Sequence, residues 1–191
     1  MGDENEFSLP DDLPEPRDDG GADHLPNAPV PALSLPATDG TNVDLSTFAE
    51  PVVVYCYPRT GRPDRDVSPD YWEEIPGARG CTPESCGFRD HHKELLELGF
   101  SDVFGISVQA TEYQREARDR LDLSFELLSD SSLEFADSLE LPRFEVEGVT
   151  LLKRLTLVIS DGRIRHVFYP IFPPDEHASE VVEWAETRLS D

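Results

Sequence analysis

Pro51 to Tyr57 reads PVVVYCY, an unbroken apolar run dominated by β-branched side chains. A run of this kind forms a strand at the centre of a sheet, buried on both faces, so the rest of the chain has to cover each side. The downstream sequence does this by alternation. A helical pattern begins near Cys81, with Phe88, Leu95, Leu96 and Leu98 recurring at helical spacing until Gly99 stops it. An apolar strand then runs from Val103 to Val108, and a polar amphipathic helix from about Glu112 to Leu121. A short strand, Phe125 to Leu128, and a short helix, Leu133 to Leu139, come next. Leu151 to Ile159 and Arg163 to Tyr169 flank Ser160-Asp161-Gly162, and Asp-Gly between two strand patterns is a strong hairpin signal. A last helix from about Glu176 to Leu189 offers Val181, Val182, Trp184, Ala185 and Leu189 as its apolar face. Together these predict an α/β domain, a mixed central sheet with helices on both faces.

Two stretches fall outside that alternation. Residues 1–24 are acidic and interrupted by Pro10, Pro14 and Pro16, with Gly20 and Gly21 together. Such a segment has too little apolar surface to fold alone and is expected to be a disordered, solvated extension, with the domain spanning 25–191. Near the start of that domain Asp39-Gly40 marks a turn, and Ser46 is a cap for a short helical turn. Between Arg59 and Gly80 the chain is polar, with Pro63, Pro69 and Pro76 and only Tyr71, Trp72 and Ile75 as anchors. A connection this long reads as an insertion, at about 61–76.

The chemistry concentrates in Gly80 to Asp90, GCTPESCGFRD, which holds two of the three cysteines as the helix begins. Pro83 lies in the first turn, where a missing amide costs nothing, and Thr82 is the natural cap. Unpaired amides and the positive end of the helix dipole then face Cys81, and both favour thiolate over thiol. Five residues along a helix separate Cys81 from Cys86 by about 7.5 Å of rise and a rotation of about 140°. A disulfide needs Cα atoms within roughly 7 Å and facing Cβ atoms, so a Cys81–Cys86 bond would require the helix to unwind over its first turns. The spacing suits a redox switch better than a static staple, and two unrelated buried helix cysteines are the alternative. Cys56, inside the central strand, reads as a packed core thiol.

Composition narrows the partners. The chain carries 40 acidic and 16 basic residues, a net charge of −24, and nine of the acids lie in the first 23 residues. Such a surface repels nucleic acid and anionic membranes, so neither is expected as a partner. Lys93 and Lys153 are the only lysines, and an acidic, lysine-poor surface resembles that of proteins from salt-loving organisms. The start, MGDENEF, has no apolar export signal, and three cysteines without one fit a reducing cytoplasm.

With these residues in view, the chain resembles the peroxiredoxins, in particular the Q-type or bacterioferritin-comigratory group. The resemblance covers roughly Leu25 to Leu189 and rests on VVVYCYP (Val52 to Pro58), GCTPESCGFRD, FELLSD (Phe125 to Asp130) and KRLTLVISDGRI (Lys153 to Ile164). It implies a thioredoxin-like fold, with Cys81 as the peroxidatic cysteine, Cys86 as the resolving cysteine and Arg154 held against the peroxidatic sulfur. It also implies an intramolecular Cys81–Cys86 disulfide reset by thioredoxin or a similar dithiol, a peroxide substrate, no cofactor, and a monomer or dimer. One position departs from the family pattern P-x-x-x-T-x-x-C: Ala78 stands where the threonine belongs. Thr60, just after Pro58, is the candidate to supply that hydroxyl if the insertion loops out and returns.

Two other readings of the cysteines compete. A thioredoxin-like redox-sensing or thiol-disulfide exchange domain without peroxidase activity would share the fold, but such domains usually carry C-x-x-C. A zinc module using Cys81, Cys86 and His91 or His92 lacks a second ligand pair, and adjacent helix residues point about 100° apart. No metal is expected.

Overall fold

The computed structural model describes residues 8–65 and 68–189. A small hairpin, β1 (Leu35–Pro36) and β2 (Asn42–Val43), turns at Asp39-Gly40. The 3-10 turn Leu45–Thr47 follows, capped by Asp44, whose carboxylate also accepts the Ser46 hydroxyl, so Ser46 lies inside the turn it was expected to cap. The PVVVYCY run forms β3 (Val52–Cys56), buried at every residue. Next come α1 (Cys81–Glu97), β4 (Asp102–Ser107), α2 (Thr111–Arg120), β5 (Leu127–Ser129) and α3 (Glu134–Leu139). The chain closes with β6 (Arg143–Val146), β7 (Val149–Leu152), β8 (Leu155–Ser160), β9 (Arg163–Phe168) and α4 (His177–Leu189).

The central sheet has the order β5-β4-β3-β8-β9. β3 runs parallel to β4 and antiparallel to β8, so the sheet is mixed, as alternation followed by a hairpin requires. Strand alternation divides the core in two. Val52, Val54 and Cys56 point to the side covered by Phe135, Ala136 and Leu139 of α3. Val53, Tyr55 and Tyr57 point to the side covered by Phe88 and Leu95 of α1 and by Ala178, Val181 and Val182 of α4. Leu96 leaves the helical stripe and stays 40% exposed.

The single strand expected over Leu151 to Ile159 is two strands, β7 and β8, broken at Lys153 and Arg154. β7 pairs with β6 in a hairpin whose turn residues Glu147 and Gly148 both have positive φ. This hairpin shares a core of its own with the segment that precedes α1: Trp72 and Ala78 bury against Val146 and Leu151, with Ile75 and Phe144 packed alongside. The partners lie about 70 residues apart, which local periodicity cannot reveal.

Residues 8–24, expected as a solvated extension, lie along the domain: Ala22 is buried, and His24 Nε2 is 2.8 Å from the Leu139 carbonyl oxygen. Of the same extension, residues 1–7 lie outside the described residues. Among the described residues no helix is long and apolar enough to cross a membrane.

Tyr55 ties the sheet to α1. Its ring stacks on Phe88 at 4.6 Å between centroids, and its hydroxyl donates to Ser85 Oγ at 3.0 Å. That placement depends on Gly105, its register partner on β4, where a Cβ would fall 2.7 Å from Tyr55 Cζ and 2.6 Å from Leu127 Cδ2. Gly105→Ala is therefore expected to lower stability by about 1–3 kcal/mol through overpacking. Denaturant unfolding in high salt should show a lower midpoint with an unchanged slope.

Candidate active site

The site forms where β3, the start of α1 and the β7–β8 break meet. Cys81 is the first residue of α1 and only 4% exposed, and its helix is capped by Gly80. Thr82, expected as the cap, is the second helical residue. Gly80 takes the position because its φ of +116° is one that L side chains rarely adopt, and because a Cβ there would collide with Pro174. The Gly80 carbonyl accepts the first helical hydrogen bond from the Glu84 amide at 3.0 Å, which leaves the earlier amides of the turn without helical partners.

Arg154 is 3% exposed and projects from the β7–β8 break into this turn. Its Nη2 lies 3.3 Å from Cys81 Sγ and also donates to the carbonyls of Gly77, Ala78 and Arg79 at 3.2–3.4 Å. Its Nη1 is ion-paired with Glu84, which is fully buried. Burial alone would pull the arginine's pKa down, but the negative partners Cys81 and Glu84 outweigh it and leave the pKa raised. A permanent cation thus sits against the sulfur. Glu84 is pushed up by burial, with Arg154 and then His177 pulling it back, and among the described residues its Oε1 has no hydrogen-bond partner.

Ala78 is accounted for by the small core it enters. Its side chain is buried with Trp72, Val146 and Leu151, an apolar setting in which a threonine hydroxyl would need a partner, while its carbonyl faces Arg154. Thr60 is also buried, but its hydroxyl lies 3.4 Å from Gln109 Oε1. The Gln109 carboxamide also accepts from the Thr60 amide at 3.1 Å and donates to its carbonyl at 3.2 Å. Thr60 is thereby held by Gln109, and the hydrogen bond donated to Cys81 Sγ comes from Arg154.

Cys86, one and a half turns along α1, is buried in the same core cluster as Cys81, and no disulfide joins the three cysteines. Cys56 lies on the opposite face of β3, where burial pushes its thiol far up, with Asp130 and Glu84 adding to the shift. His91 pairs with Glu94, and His92 contacts Ser124 and Asp102, so neither converges on the cysteines.

Glu84 is the site residue that sequence reasoning passed over. Its signal was present, since an acid three residues after a helical cysteine shares that cysteine's face and needs a cation once buried.

A buried cysteine at the first residue of a helix, with a buried arginine against its sulfur, on a mixed sheet flanked by helices, is the arrangement of a thioredoxin-like domain. A family model described as Redoxin matches residues 25–183. The chain is 31% identical over 160 residues to peroxiredoxin Bcp of Escherichia coli (strain K12), covering 81% of this chain and 91% of that relative. It is 28% identical over 158 residues to chloroplastic peroxiredoxin Q of Suaeda salsa, covering 82% of this chain and spanning 65% of that relative's length. The crystal structure of peroxidoxin BcpB from Mycobacterium tuberculosis superposes with a TM-score of 0.68 at 26% identity, over 85% of this chain and 97% of that one. The chain therefore belongs to the redoxin family, and within it to the peroxiredoxins of the Q or Bcp kind, the thiol peroxidases among the oxidoreductases.

Removing Arg154 would leave Glu84 as an uncompensated buried charge. Arg154→Met is expected to cost about 3–5 kcal/mol, and adding Glu84→Gln to recover most of it, a non-additivity readable by denaturant unfolding of the two single variants and the double.

Proposed function

We propose that Cys81 is the attacking thiolate of a peroxidase and that Cys86 resolves it. The observation that supports this best is the 3.3 Å contact of Arg154 Nη2 with Cys81 Sγ at the first residue of α1. The sulfur attacks one peroxide oxygen and the O–O bond breaks. The other oxygen leaves as alkoxide or hydroxide and takes a proton, so peroxide is reduced to alcohol or water while Cys81 is oxidised to sulfenic acid. Arg154, fixed before the reaction starts, stabilises both the thiolate and the charge that develops on the peroxide. The Cys86 thiol then displaces water from the sulfenic acid to give the Cys81–Cys86 disulfide, which an external dithiol such as thioredoxin reduces.

Closure of that disulfide requires α1 to unwind. Residues Cys81 to Cys86 are all buried, and the Tyr55–Ser85 hydrogen bond and the Glu84–Arg154 pair must break. We place this cycle in the cytoplasm, carried out by a monomer or dimer, on hydrogen peroxide or organic hydroperoxides.

Mass spectrometry of the reduced protein after one equivalent of hydrogen peroxide tests this reading. Wild type should form a Cys81–Cys86 disulfide, Cys86→Ser should accumulate sulfenic acid on Cys81, and Cys81→Ser should stay reduced. Both thiols remaining reduced over minutes in wild type would sink it. Arg154→Lys should slow the attack by about 10²–10³-fold, since a lysine cannot reproduce the fork. Because the Thr60 hydroxyl is spent on Gln109, Thr60→Val should slow it by less than about threefold; a loss near that of Arg154→Lys would return the hydroxyl to the reaction.

A further inference from the structure

We propose that residues 8–19 are a strap that restrains the unwinding of α1, and so sets the rate at which Cys81–Cys86 closes after peroxide has reacted. This inference rests on the proposed roles of Cys81 and Cys86.

The turn that delivers the chain to Cys81, residues 75–80, is overlaid from the N-terminal side. Leu9 packs at Gly80, where a Cβ would lie 3.3 Å from Leu9 Cδ2, and Pro16 packs at Gly77 with corresponding distances of 3.6 and 3.7 Å. Between them Leu13 and Pro14 face Ile75, Gly77, Arg79 and Phe172 across a shallow pocket. Both ends of this stretch are tied down. The Ser8 carbonyl accepts from Arg79 Nη2 at 3.5 Å. Asp19 accepts from Lys153 Nζ and from the Tyr169 hydroxyl, each at 2.7 Å, and Lys153 immediately precedes Arg154. These partners hold the Asp19 carboxyl well below the usual carboxylate range.

The position of the strap is what makes it consequential. Cys81 and Cys86 can approach only if residues 81–86 leave the helix and the turn before them swings, and that turn is the piece lying beneath Leu9, Leu13 and Pro16. Pro174 packs against the same Gly80 position, so Leu9 and Pro174 crowd it together. Among the described residues no hydrogen bond or ion pair joins residues 8–19 to Cys81 Sγ or to the Arg154 side chain, and the strap reaches the site through the backbone of residues 77–80 and through Lys153, so it bears on closure more than on the attack. Slow closure lengthens the life of the sulfenic acid, which exposes Cys81 to further oxidation when peroxide is abundant.

The test uses the full chain with Leu9→Asp and Leu13→Asp together and, in a separate protein, Asp19→Ala, which frees the far end without placing charge in the contact. Quenched-flow mass spectrometry after one equivalent of hydrogen peroxide separates sulfenic acid formation from disulfide closure. Hydrogen exchange of the reduced protein follows the amides of residues 82 and 84–87. Sulfenic acid formation should stay within about twofold of wild type, while closure and amide exchange each quicken by about tenfold in the double variant, and by less in Asp19→Ala. Closure and exchange at wild-type rates in both proteins would overturn the strap, as would an equal slowing of the attack, which would make the segment part of the site's positioning. If wild type forms no Cys81–Cys86 disulfide, the resolving role of Cys86 fails on its own, and the exchange rates still decide whether the strap restrains α1.

Discussion

A guanidinium taken out of water is tolerated only where acceptors surround it, and Arg154 draws its acceptors from one short stretch of chain. The carbonyls of Gly77, Ala78 and Arg79, the sulfur of Cys81 and the carboxylate of Glu84 all turn toward it. The backbone from 77 to 84 is thus wrapped around one cation. This makes the conformation of the first turn of α1 and the electrostatics of the sulfur a single property. Arg154 reaches that position because the chain breaks between β7 and β8, and the break exists because β7 turns away to pair with β6 and pack on Trp72 and Ala78. The polar segment before Cys81, about 70 residues from Arg154 in sequence, is in this way part of what holds the cation in place.

The same wrapping sets two requirements against each other. Attack on a peroxide benefits from a rigid turn, since fixed donors cost no reorganisation as charge develops. The Cys81–Cys86 disulfide proposed above would require that turn to come apart, because helix geometry keeps the two cysteines on different faces. The restraints around the turn differ in kind. Tyr55–Ser85 and Arg154–Glu84 lie inside the fold, whereas Leu9, Leu13 and Pro16 come from a peripheral segment. Peripheral contacts are the ones a protein can alter without disturbing the reacting atoms.

Much of the fold was legible because it follows from local periodicity. Val52 to Cys56 could only be a central strand, and Asp161-Gly162 supplies the two positive-φ residues that a tight hairpin turn needs. That Cys81 and Cys86 share one helix was legible from the periodicity that follows them. What stayed hidden depended on partners distant in sequence. The β6–β7 hairpin turns on Glu147-Gly148, a weak turn signal, and its apolar residues make sense only against Trp72 and Ala78. Ala78 looked like a defect in a family pattern because its surroundings could not be read from the chain. Thr60 looked like its replacement because nothing in the sequence announced the carboxamide of Gln109. Glu84 was overlooked for a related reason: an acid in a helical first turn is ordinarily explained by the dipole and solvent, and only its burial beside Arg154 shows otherwise.

Charge separates the site from the surface around it. The chain carries −24, and several of its surface cations sit beside acids, as in Arg62–Asp64, Arg118–Glu126, Arg120–Glu116 and Arg143–Asp137. Pairs at that level of exposure are worth little singly and are screened further as ionic strength rises, as is the mutual repulsion of the excess acids. Arg154 and Glu84 lie beyond the reach of mobile ions, at side-chain exposures of 2% and 0%. Added salt therefore relaxes the repulsion that opposes compaction and leaves the cation against Cys81 undiminished. A chain this acidic can vary its stability with salt while keeping the electrostatics of its sulfur constant, because the one ion pair that matters to the chemistry is the one placed out of solvent.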